Sequence, residues 1–381
     1  MQEPTPRRFT TPHHVAPRTH LLSNGNYSVM ITAAGSGYSR WRDAAVTRWR
    51  EDATCDAWGS YVFLRDVANG QVWSAGYQPI GREPDGYEVS FFEDRAEITR
   101  KDGPIVTATE IFVSPQDDAE VRRVSITNNG NRLREIELTT YSEVVLTSPD
   151  ADSAHPAFAK LFVQTEFIPE TGTLLATRRN REPQELPLWA AHVSVLEGEP
   201  AGGLQFETDR ARFLGRGNDL RNATSIVDAR PLSNTTGTVL DPVLSLRRRV
   251  RLGPGETARV AFWTILAQSR AQALSLADKH SDAAAFDRAK TLASSHAQLQ
   301  LRSLGIDFDE AQQFQRVANH VLYSDASLRA NRGILDQNQL GRSALWPYAV
   351  SGDLRSCSFA SMRRMIFRSW RSCCKRMSIG A

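Results

Sequence analysis

Apolar and polar positions alternate with a period of two along most of the first 268 residues, the pattern of strands half buried against a core. Such segments cover residues 27–32, 60–64, 71–74, 86–92, 96–100, 105–113, 119–128, 134–145, 159–167, 174–178, 189–195, 204–208, 243–252 and 258–267. Turn signals punctuate them: Asn24-Gly25, Asn69-Gly70, Asp85-Gly86, Asp102-Gly103, Asn129-Gly130 and Gly253-Pro254-Gly255. This many strands at this spacing exceed an immunoglobulin-size sandwich and predict a large two-sheet antiparallel one. The run VAFWTILA over residues 260–267 is apolar throughout, which suits a buried strand and is too short to span a bilayer.

The period changes near residue 269. Residues 269–305 are rich in Ala, Leu, Gln and Arg and hold no Pro, predicting two helices, the second capped by Ser281 or Asp282 and ended by Gly305. A third helix over about 309–330 sets Phe314, Val317, Ala318, Val321 and Leu322 on one stripe, with Phe308 just ahead. Left bare, that stripe predicts low solubility. His320 on this helix reads as a packed or solvent-edge histidine rather than a ligand. Residues 1–19, with Pro4, Pro6, Pro12 and Pro17 and no periodic element to support His13 and His14, predict a mobile arm.

Composition adds a location and excludes some partners. The net charge of +3 conceals a split, because residues 355–381 hold seven Lys or Arg and no acid while residues 1–354 hold 39 basic and 43 acidic side chains. A mildly acidic body argues against nucleic acid as a partner. Arg247, Arg248, Arg249 and Arg251 form the one other basic run, which reads as a solvated strand face. Cys55 stands alone in the body, so no disulfide framework is expected, and no zinc-ligand spacing surrounds Cys373 and Cys374. With no membrane span and no secretory h-region, the expected location is the cytosol.

One stretch concentrates candidate chemistry. Residues 37–66, GYSRWRDAAVTRWREDATCDAWGSYVFLRD, mix Trp, Tyr and Phe with Arg and Asp. Flat apolar faces beside fixed donors suit sugars, and the candidate substrate-binding residues are Arg40, Trp41, Arg42, Asp43, Trp49 and Trp58. The same composition serves ordinary core packing and structural ion pairs. Tyr141 and Glu143 finish a strand at the rim or face a groove. No Walker, HExxH or GxSxG motif is present, and Gly35-Ser36-Gly37 lacks the following helix that a phosphate loop needs. No catalytic, cofactor or metal residue is assigned.

Long stretches nonetheless resemble a known family. Residues 20–66 (HLLSNGNYSVMITAAGSGYSRWRDAAVTRWREDATCDAWGSYVFLRD), 120–146 (EVRRVSITNNGNRLREIELTTYSEVVL) and 341–354 (GRSALWPYAVSGDL) resemble the glycoside hydrolase family 94 portion of bacterial cyclic β-1,2-glucan synthetases. That family was formerly glycosyltransferase family 36 and includes cellobiose and chitobiose phosphorylases. The resemblance implies a β-supersandwich of the galactose mutarotase-like type over 20–268, a helical linker over 269–305, and the opening of an (α/α)6 barrel over 306–354. After Ser351-Gly352-Asp353-Leu354 the chain departs from the family pattern, and the basic tail of 355–381 reads as the product of a reading-frame slip, or else as a membrane-surface helix. The implied reaction is inverting phosphorolysis or its reverse, in which one carboxylic acid protonates the leaving oxygen and phosphate attacks the opposite face. The groups for it lie in the barrel, so the expectation is a carbohydrate-binding or structural portion of a hexosyltransferase, inactive alone; the alternative is a stand-alone carbohydrate-binding module. Expected partners are a β-glucan or glucoside, the catalytic barrel if separately encoded, and a second copy as a homodimer. The full-length synthetases that the chain resembles are inner-membrane proteins.

Overall fold

The computed structural model describes residues 6–180, 185, 187–323, 325 and 328–348. Its strands in chain order are β1 (Arg7–Phe9), β2 (Thr19–Ser23), β3 (Tyr27–Thr32), β4 (Gly37–Trp41), β5 (Ala44–Thr47), β6 (Tyr61–Asp66), β7 (Val72–Ser74), β8 (Gly86–Phe91), β9 (Ala96–Asp102) and β10 (Ile105–Val113). They continue as β11 (Ala119–Asn128), β12 (Arg134–Thr147), β13 (Val163–Ile168), β14 (Thr173–Arg178), β15 (Trp189–Glu197), β16 (Glu199–Pro200), β17 (Gln205–Asp209), β18 (Pro242–Leu252) and β19 (Thr257–Ala267). The helices are α1 (Pro149–Ala154), α2 (Pro156–Lys160), α3 (Arg210–Leu214), α4 (Thr224–Val227), α5 (Arg270–His280), α6 (Ala285–Leu304), α7 (Phe308–Leu322) and α8 (Arg332–Gln337).

Two antiparallel sheets form the sandwich. The first runs β1-β8-β9-β10-β11-β19-β15-β14-β13; the second runs β16-β18-β12-β5-β4-β3-β2, with β17 beside β18 and the β6–β7 pair beside β12. The inward faces interdigitate Val124, Ile126, Val260 and Phe262 of one sheet with Ile136, Leu138, Leu246 and Val250 of the other. β12 is the spine of the second sheet. Its residues 136–141 pair with β6, and from Val144 it takes β5 as partner, a bulge between Val144 and Thr147 interrupting that pairing. Leu146 at the bulge adopts φ 54°, the left-handed region that swings the strand end outward.

Strand β19 is apolar on both faces because both are covered. Phe262 faces the sandwich core, while Trp263 and Ile265 face a second core made with Ala273 and Ala277 of α5 and Phe286 and Ala289 of α6. Burying a side chain of this size stabilises the fold by about 2–3 kcal/mol. The α5–α6 pair thus packs as a third layer on the outer face of β19. Gly305 ends α6 at φ 65°, a left-handed C-cap, as the sequence predicts. The start of α6 differs: its N-cap is Ala284, and the Asp282 carboxylate, outside the cap, accepts from the Ala284 N–H and from Arg288.

Other expectations are corrected. Within residues 1–19, Arg7–Phe9 is an edge strand on β8 and Phe9 packs edge-on against Phe91, so this part is fixed rather than mobile; three residues are too few to show alternation. The arginine run of β18 is not one solvated face: the Arg251 side chain is 41% exposed, paired with Glu135 and Glu199, while the other three are more covered. Arg247 is buried, donating to Thr139 and to the carbonyls of Arg230 and Ser225; Arg249 pairs with Glu137, and Arg248 donates to Ser194. The third helix stops at Leu322, with Tyr323 already extended, and its apolar stripe is half buried rather than bare. Residues 349–354 and the basic tail 355–381 lie outside the described residues. No helix among the described residues is long and apolar enough to cross a membrane.

Candidate binding cleft

The β4–β5 hairpin, the loop after it, the end of β12 and α1 enclose a cleft of about 420 Å³, closed on one side by Leu322 of α7. Each strand end supplies its residues for a local reason. Tyr38 and Arg40 are alternate residues of β4 and share a face. Arg48 follows β5 and its N–H donates to the Glu143 carbonyl at 2.9 Å, so the ladder carries it inward beneath the cleft. Asp152 sits on α1, whose first turn is set by Pro149 and by Ser148 accepting from the Ala151 N–H.

The floor is an ion cluster. The Arg48 side chain is 2% exposed and binds Asp152 through Nε and Nη2 at 2.9 Å each and Glu143 through Nη1 at 2.6 Å. Glu143 also accepts from the Tyr141 hydroxyl at 2.9 Å and from Arg210 Nε at 2.8 Å. Asp241 closes the cluster through Lys160 at 2.7 Å. Three cations meet three anions, so the buried charge balances. Burial pushes the Glu143 carboxyl up, yet Arg210 and Arg48 beside it hold it below the ordinary carboxylate value. Burial pushes Arg48 down, and Asp152 and Glu143 more than offset this. Tyr141 and Glu143 therefore neither finish an exposed rim nor face a groove; they are structural members of this floor.

The wall is aromatic. Trp49 is half buried, its ring 5.2 Å from Tyr38 and 5.8 Å from Tyr323, perpendicular to the latter. Tyr323 closes α7 and is 1% exposed; burial, then Asp56, raises its hydroxyl pKa, against a hydrogen bond with Trp49. Arg40 lies 5.8 Å over the Tyr38 ring.

Of the six residues singled out in the sequence, Arg40 and Trp49 share this cleft. Trp41 is buried in the sandwich core with its indole N–H on Asp118 at 2.5 Å, and Arg42 lies 4.5 Å over its ring, so it presents no face to a sugar. Arg42 and Asp43 are exposed at the hairpin turn, where Arg42 takes φ 51°. Trp58 is half buried under Arg50 and its carbonyl accepts from Ser36 at 2.7 Å. Sequence reasoning missed Arg48, Asp152 and Tyr323. The Arg48 and Tyr323 signals were there, as an Arg beside Trp49 and an aromatic at a helix end; nothing local marks Asp152. The glycines nearby serve packing: a Cβ on Gly37 would lie 1.9 Å from the Met30 carbonyl oxygen. Among the described residues no group of His, Cys, Asp and Glu could hold a metal ion.

Residues 2–283 match the family model described as glycosyl hydrolase 94, supersandwich domain. The chain belongs to this family. It is 39% identical over 335 residues to the cyclic β-(1,2)-glucan synthase NdvB of Rhizobium meliloti (strain 1021), covering 88% of this chain and 12% of that protein. The N,N'-diacetylchitobiose phosphorylase of Vibrio proteolyticus is 25% identical over 293 residues, 76% of this chain and 35% of that one. The solabiose phosphorylase of Paenibacillus borealis is 26% identical over 197 residues, 51% of this chain and 24% of that one. The family 94 chain thus spans about an eighth of the synthase and about a third or less of these phosphorylases. Its two sheets are the supersandwich that the family name describes, with α5 falling within the matched residues and α6 beginning just beyond them.

Proposed function

We propose that the chain is the non-catalytic sandwich portion of a glucan synthase or phosphorylase of family 94, and that its cleft contacts a β-linked glucoside while the bond chemistry is supplied outside the described residues. One observation carries this reading: Trp49 and Arg40 line an accessible cleft while the carboxylates beneath it, Asp152 and Glu143, are both bound to Arg48. A half-open indole beside a guanidinium gives an apolar face and fixed donors, the two things a pyranose ring needs. A general acid must carry a proton near neutral pH, and Glu143 is held in the opposite direction. The half-exposed apolar stripe of α7 favours a scaffold that packs on further structure over a free-standing sugar-binding module.

The test is titration of the purified chain with β-1,2-glucan, followed by tryptophan fluorescence and calorimetry. Binding in the millimolar range or tighter is expected, lost in Trp49→Ala and weakened in Arg40→Ala, with Trp58→Ala unchanged. An assay of phosphate release from glucose 1-phosphate with a β-glucoside acceptor is expected to show none. Turnover by the pure chain, or binding that survives Trp49→Ala, would overturn the reading.

A further inference from the structure

A larger cavity, of about 990 Å³, opens between the N-terminal segment and α7, apart from the cleft described above. Four arginines line it: Arg7, Arg8, Arg18 and Arg316. Among the described residues, Arg8, Arg18 and Arg316 are exposed and have no ion pair. Arg7 is buried, and its Nη2 is occupied by the Thr19 carbonyl at 3.1 Å and by His20 Nδ1 at 3.0 Å. Burial lowers the Arg7 pKa to about 10, and the neighbouring Arg316 charge pushes the same way. Against these four cations the lining sets two carboxylates, Asp307 and Asp309, so positive charge is in excess around the buried Arg7 guanidinium.

Asn319 supplies an independent sign. It is 3% exposed and lines the same cavity. Its Oδ1 accepts from the Thr19 N–H at 2.6 Å, which fixes the amide orientation and makes the other atom a donor. That Nδ2 is buried without a hydrogen-bond partner. An unsatisfied buried donor costs about 1–3 kcal/mol, and an anionic oxygen is the acceptor that would satisfy it. The cavity is far larger than an inorganic oxyanion needs. Asp307 and Asp309, which also line it, place carboxylate acceptors where an anion would be repelled and hydroxyl groups would be bound.

We propose that this cavity binds a phosphorylated polyhydroxylated small molecule, its phosphoryl group held by Arg7, Arg316 and the Asn319 amide, its hydroxyls by Asp307 and Asp309. The site needs no part of the cleft around Trp49, so it stands or falls separately from the glucoside reading.

Calorimetry of the 381-residue chain tests it with three probes: inorganic phosphate, glucose 6-phosphate and glucose. Glucose 6-phosphate is expected to bind more tightly than phosphate, and glucose not to bind. Arg316→Gln removes an exposed charge and is expected to weaken glucose 6-phosphate by about ten- to a hundredfold, the usual worth of a hydrogen bond to a charged group, with the unfolding transition retained. Asn319→Asp keeps the acceptor that Thr19 uses and replaces the donor by a negative charge, so binding should disappear. Failure of both phosphates to bind would overturn the proposal, as would binding untouched by either variant. Equal affinity for phosphate and glucose 6-phosphate would overturn the assignment of the hydroxyl-binding end.

Discussion

The side-chain amide of Gln315 and the backbone of Leu21 exchange two hydrogen bonds, each 2.9 Å, the Leu21 N–H donating to Oε1 and Nε2 donating to the Leu21 carbonyl. Leu21 belongs to β2, the edge strand of the second sheet, so a helix side chain completes a ladder position that no strand fills. Asn319, one turn further along α7, does the same for the Thr19 N–H, two residues back along β2. The match works because four residues of helix rise about 6 Å and two residues of strand about 6.6 Å. An edge that would otherwise be open to another chain is thereby covered.

From this relation, Gln315→Ala is expected to destabilise the fold by about 1–3 kcal/mol, since it leaves a part-buried N–H and C=O unpaired at once. Gln315→Glu keeps the acceptor and loses the donor, so it should cost less. Urea unfolding midpoints at constant slope measure both. Equal stability of Gln315→Ala and the parent chain would show that water replaces the amide freely.

Removing Arg48 should be far more damaging. Arg48→Met strands Glu143 and Asp152 as buried charges without their shared partner, and breaking such a cluster costs about 3–5 kcal/mol. Adding Asp152→Asn to Arg48→Met should recover part of the loss, because the stranded charge goes with it. A double-mutant cycle in urea reads the coupling. Simple additivity of the two losses would count against the cluster acting as a unit.

The β-sandwich was legible where its signals were local. All fourteen alternating segments correspond to strands, with the segment at 159–167 beginning late because residues 156–160 are α2. The strands that alternation missed are short or lack turn residues: β4 and β5 are joined through Arg42 and Asp43, and Arg42 takes a left-handed φ that glycine or asparagine would normally signal. The continuous apolar run of β19 predicted burial, and the Ala-rich face of α5 explains which layer provides it on the outer side. The cleft was half legible. Arg40 and Trp49 stood out by type, but Trp41 looked the same in sequence and its burial depends on Asp118, distant along the chain. The ion floor unites Arg48 just after β5, Glu143 of β12, Asp152 of α1, Lys160 of α2, Arg210 of α3 and Asp241 just ahead of β18, and no spacing announces a meeting of that kind.

Gly37 offers a test of close backbone packing. A methyl group there would meet the Met30 carbonyl oxygen, an immovable neighbour within the ladder of β3 and β4. Gly37→Ala is therefore expected to lower stability by about 1–3 kcal/mol through overpacking, and to disturb the hairpin that carries Tyr38 and Arg40. Thermal melting combined with the glucan titration separates the two effects.

His192 makes the stability of the sandwich depend on pH. It lies fully buried between the sheets, with Nε2 2.9 Å from the Thr140 hydroxyl and Nδ1 3.1 Å from the Thr264 hydroxyl. Burial lowers its pKa from the ordinary 6.5 to about 4, and burial beside Arg7 lowers that of His20 to about 3. The unfolded chain therefore binds protons at these two positions from about pH 6.5 downward while the folded chain does not, so stability falls as the pH drops from 6.5 towards 4 and is retained above 6.5. At a loss of 1.36 kcal/mol per tenfold change, His192 alone removes about 2 kcal/mol between pH 7 and pH 5. Glu143 acts lower: its folded pKa is depressed below 4.5, and its contribution disappears only as the pH falls through that depressed value. Urea unfolding at pH 7, 6 and 5 should thus show a slope that His192→Gln roughly halves, His20 supplying the rest, whatever His192→Gln costs at pH 7. A slope unchanged by His192→Gln would mean that the imidazole is protonated in the fold, with both hydroxyls accepting from it.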